Sequence, residues 1–363
     1  MPFPSSMAVR SCLRLALVLT LFVVLSGCGS TVPETPPAPQ PSTSQPSAPQ
    51  RSTAAPSGVP SADGRLAQRL ANGVSDAGAF VHLEALQRIA NENGGNRAAS
   101  SPGYEASVEY VVGVLRSAGY EVSTPTYEPE DDGGTQRNII AQTRSGDPNS
   151  VVMIGAHLDS VEDGPGIVDN GSGVATLLEI AKQLGPAAPI RNAVRFAFFG
   201  SEEDGAIGST AYVESLPADD RQKILLYLNV DMVASPNAGY FVQGGVGDDK
   251  SGSGPPGSAT VARVLAEELA KTGVTPETIE FVGDDESPFV DADIPSGGAE
   301  NGDDEEKSDE QARAWGGQPG EDYDPCYHED CDSLGNVNPV VLNRYMRAIA
   351  GTLGHFATSS ERP

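Results

Sequence analysis

Residues 151–173, VVMIGAHLDSVEDGPGIVDNGSG, decide how the rest of the chain is read. The stretch opens with a short apolar, β-branched run at 151–156, the pattern of a buried strand. His157 stands where that strand should end. Asp159 follows two positions later, and Asp169-Asn170 close a glycine-rich loop. Gly171-Ser172-Gly173 then lead into residues 174–180, which have helical spacing. In an open α/β sheet, sites form beyond the carboxyl ends of the strands, so His157 and Asp169 are well placed to be metal ligands. Ordinary turn and helix-capping chemistry would produce the same pattern. Taken alone, the stretch supports both readings.

Two more apolar runs tip the balance. VRFAFF at 194–199 runs into Gly200-Ser201-Glu202-Glu203-Asp204, and ILLYLNV at 224–230 ends at Asp231. Three strand candidates thus each deliver an acid or a His at the carboxyl end. Cys326-Tyr327-His328-Glu329-Asp330-Cys331 supplies another His. Strands alternating with helical patterns give an α/β fold with a mixed, mostly parallel central sheet flanked by helices. Helices are expected over 80–93, 102–118, 259–271 and 340–356, and strands over 121–127, 138–142, 240–243 and 278–282. The apolar stripe of the first helix leaves His82 off it, on the surface. His355 falls in the last turn of the closing helix.

The first 62 residues differ in kind from the rest. Residues 1–28 read as a signal segment, with Arg10 and Arg14 ahead of an apolar core at 13–25. About twenty apolar residues span a bilayer, so this core is too short for a stable transmembrane helix. Leu25-Ser26-Gly27-Cys28 resembles a bacterial lipobox. It implies cleavage before Cys28, acylation of its thiol and an exported lipoprotein anchored to the membrane at the cell surface. Residues 29–62, rich in Pro, Ser and Thr, form a disordered tether. Residues 63–363 form a single folded domain.

The formal net charge is −27, and the first 62 residues contribute +2, which leaves −29 on the folded part. Such a surface repels phosphate backbones and excludes nucleic acid as a partner. Of four cysteines, Cys12 leaves with the signal segment and Cys28 is lipidated. Cys326 and Cys331 remain, and an even pair in an exported domain is by default a disulfide. The alternative is that both bind metal with His328.

Two metal ions about 3.5–4 Å apart need a bridging carboxylate and further ligands on each side. His157, Asp169, Glu203, Asp231 and His328 meet that demand with nitrogen and oxygen donors, which suit zinc. Glu202 is then free beside a ligand to act as a base. Asp159 is spaced to accept the second ring N–H of His157.

Five motifs carry a resemblance: Ala156-His157-Leu158-Asp159-Ser160, Asp169-Asn170-Gly171-Ser172-Gly173, Glu202-Glu203, Asn229-Val230-Asp231-Met232 and Cys326-Tyr327-His328. Asn93-Gly94-Gly95-Asn96-Arg97, Pro288-Phe289 and Trp315-Gly316-Gly317 support it. Together they resemble the secreted two-zinc aminopeptidases of the Streptomyces and Aeromonas type, in the MH clan of metallopeptidases. The resemblance covers residues 80–356 and implies a three-layer sandwich acting on peptides, as a monomer holding two zinc ions. It implies Asp169 as the bridge, His157 and Asp231 on one zinc, and Glu203 and His328 on the other. Glu202 would be the general base and Tyr327 an oxyanion donor, with a cis peptide after Asp169. Water activated at the metals would attack the first peptide carbonyl.

Met232, Phe289 and Glu300 are expected at the substrate, the last following Gly297-Gly298 where relatives carry an apolar residue. A carboxylate in that wall offers a partner to an N-terminal Lys or Arg. The alternative is that Glu300 turns to solvent and leaves an apolar pocket. Relatives often read Ser-Asp-His-x-Pro-Phe where this chain has Asp284-Asp285-Glu286-Ser287-Pro288-Phe289. No protease-associated insert precedes the His157 strand. Residues 336–351 contain no Asp or Glu, so no calcium site is expected there.

Four other functions fit the sequence less well. A single-zinc glutaminyl cyclase should lack the equivalent of His157. A carboxypeptidase needs a cation for the substrate carboxylate, and no Arg near these motifs stands out. A serine hydrolase needs a Gly-x-Ser-x-Gly elbow, which the chain lacks. A solute-binding lipoprotein that is not a catalyst needs no base at Glu202.

Overall fold

The computed structural model describes residues 62–129 and 134–363. The expected signal segment, Cys28 and nearly all of the tether lie outside these residues.

Three helices come first: α1 (Ala62–Gly73), α2 (Asp76–Glu92) and α3 (Pro102–Ser117). Ser75 and Ser101 cap the second and third, accepting from Gly78 N–H and Tyr104 N–H, and Pro102 sits in the first turn of α3, where its missing N–H costs nothing. Helix α1 has no counterpart in the sequence reading. It contributes only Leu66, Ala67 and Leu70 to the core. Its backbone packs so close to the closing helix that a Cβ on Gly354 would come within 2.6 Å of Ala67 Cα.

His82 on α2 is 5 % exposed, which corrects its expected surface position. Helix α2 packs against both α3 and α4, so its buried face is wider than one stripe, and His82 Nδ1 meets Tyr110 Oη of α3 at 2.7 Å.

Next come β1 (Glu121–Ser123), the small antiparallel ladder β2 (Thr126–Tyr127) with β3 (Gln136–Arg137), and β4 (Ile139–Gln142). The α/β core follows as β5 (Asp147–His157), α4 (Gly171–Leu184), β6 (Asn192–Phe199), α5 (Ile207–Ser215), α6 (Ala218–Arg221) and β7 (Ile224–Val230). The remainder is β8 (Phe241–Gln243), α7 (Lys250–Ser253), α8 (Ser258–Ala270), β9 (Glu277–Ile279), α9 (Ser287–Asp291), β10 (Ser296–Glu300), α10 (Asp309–Trp315) and α11 (Pro339–Thr358).

Among the described residues the main sheet has eight strands in the order β1-β4-β6-β5-β7-β10-β8-β9. Its centre is parallel, with β5 between β6 and β7 and β10 beside β7, while β1, β4 and β8 pair antiparallel. Strands covered on both faces read as unbroken apolar runs rather than alternating ones. Accordingly every residue of β7, and of β5 from Val151 onward, is buried.

The consequence for function is geometric. Parallel strands β5, β6, β7 and β10 end at the same edge of the sheet, bringing His157, the loop carrying Glu202 and Glu203, Asp231 and Glu300 together. Strand β10 was not read from sequence, because Ser296-Gly297-Gly298-Ala299 has neither β-branching nor bulk.

Candidate metal centre

His157 is the last residue of β5 and 1 % exposed. Its Nε2 lies 3.1 Å from Asp169 Oδ1, 3.4 Å from Asp231 Oδ1 and 4.0 Å from Glu202 Oε2. On the other side, His328 Nε2 lies 3.2 Å from Asp169 Oδ2 and 2.9 Å from Glu203 Oε2. The donor atoms form two triads, His157–Asp169–Asp231 and Asp169–Glu203–His328, each within 4.8 Å. Asp169 belongs to both and turns one oxygen toward each histidine.

The local sequence holds this carboxylate in place. The peptide between Asp169 and Asn170 is cis. Asp332 accepts from Val168 N–H at 2.8 Å and Asp169 N–H at 3.0 Å. Asn170 caps α4 through Gly173 N–H, donates to Val230 O at 2.8 Å and accepts from Met232 N–H. A Cβ on Gly173 would come within 2.5 Å of Val230 O, so only glycine lets the first turn of α4 pack against the end of β7.

Asp159 faces His157 Nδ1 at 3.6 Å. Both its oxygens also accept backbone N–H groups, of Glu202 and Glu203, at 3.3 Å each. It therefore couples the His157 strand to the Glu202 loop, a role the sequence did not reveal. Arg97 is fully buried and donates to the carbonyls of Leu158, Pro165 and Gly166. Its guanidinium is thus committed to the loop after β5 and is not available to a substrate carboxylate.

Tyr327 and His328 stack, with ring centroids 3.8 Å apart, inside the short loop closed by a Cys326–Cys331 disulfide. Asp324 fastens one end of that loop through Cys326 N–H and the Asn336 amide, and Asp332 ties the other end to Asp169. His328 keeps 40 % of its side chain exposed.

Ser201, Met232 and His328 have φ of 55°, 43° and 58°. They are three of the six non-glycine residues at positive φ among those described, and each is a proposed ligand or adjoins the proposed base or a proposed ligand. Such backbone costs about 1–3 kcal/mol per residue and persists where surrounding contacts enforce it, commonly at functional sites.

A cavity of about 100 Å³ opens here, lined by His157, Asp169, Glu202, Glu203, Asp231, Met232, Val282, Asp284, Glu300, Asp303 and Tyr327. Larger hollows of about 610 and 540 Å³ lie elsewhere and contain none of these residues. Glu300 is in the wall and 9 % exposed, so it does not turn to solvent. Phe289 does not reach the cavity, contrary to its expected place at the substrate. It is fully buried and stacks on Tyr227 with centroids 3.9 Å apart, because α9 packs beneath the sheet edge and points its apolar side inward.

Crowding of acids sets the electrostatics. Burial, with further push from neighbouring carboxylates, raises Glu202 to about 11, Asp231 to about 8 and Glu203 to about 7. Burial also raises Glu300 to about 8 and Asp284 to about 6. His328 rises to about 10 because Asp169 and Glu203 accept from its ring. Burial would raise Asp169 too, but bonds from both histidines outweigh it and hold this carboxylate low. Burial keeps the Tyr327 hydroxyl protonated, as a donor.

Residues 138–353 match the model of peptidase family M28. The chain belongs to peptidase family M28. Among curated relatives, it is 45 % identical to leupeptin-inactivating enzyme 1 of Streptomyces exfoliatus, over 74 % of this chain and 59 % of that one. It is 34 % identical to the probable lipoprotein aminopeptidase LpqL of Mycobacterium tuberculosis, over 82 % and 88 %. It is 46 % identical to an aminopeptidase of Pseudomonas aeruginosa, over 59 % and 40 %. The chain thus spans less than two thirds of the Streptomyces and Pseudomonas proteins. In fold it is similar to a zinc aminopeptidase of Bacillus subtilis, at TM-score 0.64 and 16 % identity over 80 % of this chain and 97 % of that one. It is also similar to a glutaminyl cyclase of Porphyromonas gingivalis, at TM-score 0.58 and 23 % identity over 77 % and 98 %. The M28 match ends within α11 and takes in all five proposed ligands.

The donor set suits a metal. Glu203 Oε1 and Asp231 Oδ1 are buried without a hydrogen-bond donor, an arrangement that costs free energy unless a cation meets it. Without metal, the folded chain holds more protons between pH 5 and 8 at Glu202, Glu203, Asp231 and His328 than the unfolded chain does. A state that binds extra protons loses stability as pH rises. The chelator-treated protein should therefore melt at a lower temperature at pH 8 than at pH 5.5. Metal requires the deprotonated ligands, so the gap to the loaded protein should widen over the same range. Scanning calorimetry checks this, and a chelated protein that gains stability toward pH 8 would refute it.

Proposed function

We propose that this chain is a zinc-dependent aminopeptidase that holds two zinc ions. His157 and Asp231 would hold one, Glu203 and His328 the other, with Asp169 shared. The observation that carries this reading is that the two oxygens of Asp169 face different histidines, at 3.1 and 3.2 Å. Zinc, when bound, polarises the scissile carbonyl and acidifies water. Glu202, outside both triads yet lining the same cavity, takes the proton of the attacking water and returns it to the leaving amine. Tyr327 donates its hydroxyl to the developing oxyanion. Met232 and Glu300 line the space for the N-terminal residue, and Glu300 favours peptides that begin with Lys or Arg.

Residues 1–28 would direct export, Cys28 would carry the lipid anchor, residues 29–62 would be the tether and residues 63–363 the catalytic domain. No helix among the described residues is long and apolar enough to cross a membrane, and the likeness to LpqL supports the lipoprotein form. Against a carboxypeptidase, no Arg or Lys lines the cavity among the described residues.

Hydrolysis of aminoacyl-p-nitroanilides should proceed, stop with a zinc chelator and return on adding zinc, with two zinc ions per chain by elemental analysis. One zinc with cyclisation of N-terminal Gln would replace this reading by the cyclase, and zinc-free protein by the binding lipoprotein.

A further inference from the structure

Four of the eleven residues that line the cavity belong to the two triads, and Glu202 is the proposed base. Three carboxylates remain that neither role uses: Asp284, Glu300 and Asp303. They come from three separate places: the loop before α9, the end of β10 and the loop after it. The other lining groups, Met232, Val282 and Tyr327, are largely apolar, and Val282 is 56 % exposed at the rim.

Glu300 is nine-tenths buried. The Gln243 amide donates to Oε2 at 2.5 Å. Gln243, itself fully buried on β8, also favours the charged form of Asp284. One amide therefore steadies two acids at a cavity that holds no Lys or Arg among its described lining residues. Burial and mutual repulsion disfavour the charged form of such a wall, and a cation that enters it restores that form.

We propose that Asp284, Glu300 and Asp303 form a subsite for a cationic side chain, so that the enzyme removes N-terminal Lys and Arg in preference to Leu. This rests on the aminopeptidase reading and adds the residues that select the substrate. The methylene stem of Lys or Arg lies along Met232 and Val282, and its charged end meets the three acids. Charge-assisted hydrogen bonds of this kind change affinity by roughly ten- to a hundredfold. The charge of −29 on residues 63–363 draws cationic peptides toward the surface, an effect that falls with ionic strength.

The same acids could instead hold the α-ammonium that every aminopeptidase substrate carries, and the test separates the two. kcat/KM is measured for Lys-, Arg- and Leu-p-nitroanilide on the zinc-loaded full chain, on Asp284→Asn, on Glu300→Gln and on the double variant. The expected result is Lys and Arg at least tenfold above Leu in the wild type. In the double variant the Lys:Leu ratio falls at least tenfold, through loss on Lys and not gain in protein damage, as unchanged zinc content and melting temperature verify. Leu favoured by the wild type overturns the proposal. So does a parallel fall on Lys and Leu, which assigns the acids to the α-ammonium. Should no p-nitroanilide be hydrolysed, the aminopeptidase reading fails on its own. The subsite is then judged by calorimetry with L-lysinamide and L-leucinamide, and equal affinity for the two overturns it.

Discussion

Glu202→Gln should lower kcat by roughly 10²–10⁴-fold, the usual contribution of a positioned general base, while both zinc ions stay bound. The substitution keeps the size of the side chain and removes its capacity to take a proton. Glu202 is outside both ligand triads, yet its carboxylate lies 4.0 Å from His157 Nε2 and lines the same cavity. Its backbone N–H is held by Asp159, so the loop should keep its shape in the variant. Elemental analysis beside steady-state kinetics reads both parts of the prediction. Zinc loss as large as that of Glu203→Gln would mean that the roles of the adjacent glutamates are reversed.

Asp169→Ala should abolish binding at both metal positions and reduce activity below detection. No other side chain belongs to both triads, so its removal strips a ligand from each. The backbone around it is fastened independently of the carboxylate, through Asp332 to the N–H groups of 168 and 169 and through Asn170 to β7. The variant should therefore fold. His157→Ala, in contrast, should weaken one position more than the other. Titration with zinc followed by calorimetry distinguishes these cases. An Asp169→Ala protein that holds one zinc as tightly as the wild type would refute a shared ligand.

Much of this centre was legible in the chain because strand ends are local events. Buried parallel strands must read as apolar runs, and a polar residue at the carboxyl end of such a run marks the sheet edge where sites form. His157, Glu202, Glu203 and Asp231 each follow such a run. Asp169 carries a local signal as well, since Asp-Asn-Gly-Ser-Gly before a helical pattern is capping chemistry. The five proposed ligands, the α/β class and the pairing of Cys326 with Cys331 could all be read in this way or from the motifs they form. His328 differs, because nothing local marks a loop residue as a ligand, and the motif alone pointed to it.

What sequence could not supply depended on partners far along the chain. His82 is polar and off the main apolar stripe of its helix, and only the packing of α2 against α3 and α4 buries it, against Tyr110. Phe289 sits in a motif near the site, but the direction in which a short helix turns its side chains is set by the sheet it packs on. The roles of Arg97, Asp332 and Gln243 arise from contacts spanning 57 to 164 residues, and no periodicity encodes them. The same holds for Glu300, whose double-glycine context gives no strand signal. Its place at the cavity follows from β10 pairing parallel to β7, which carries it to the edge where Asp231 ends its own strand. The chain by itself thus determined which residues could bind metal and move protons, because side-chain chemistry and strand-end position are local properties. Tertiary structure alone decided which further acids line the cavity, because convergence of Asp284, Glu300 and Asp303 is a property of how distant segments pack.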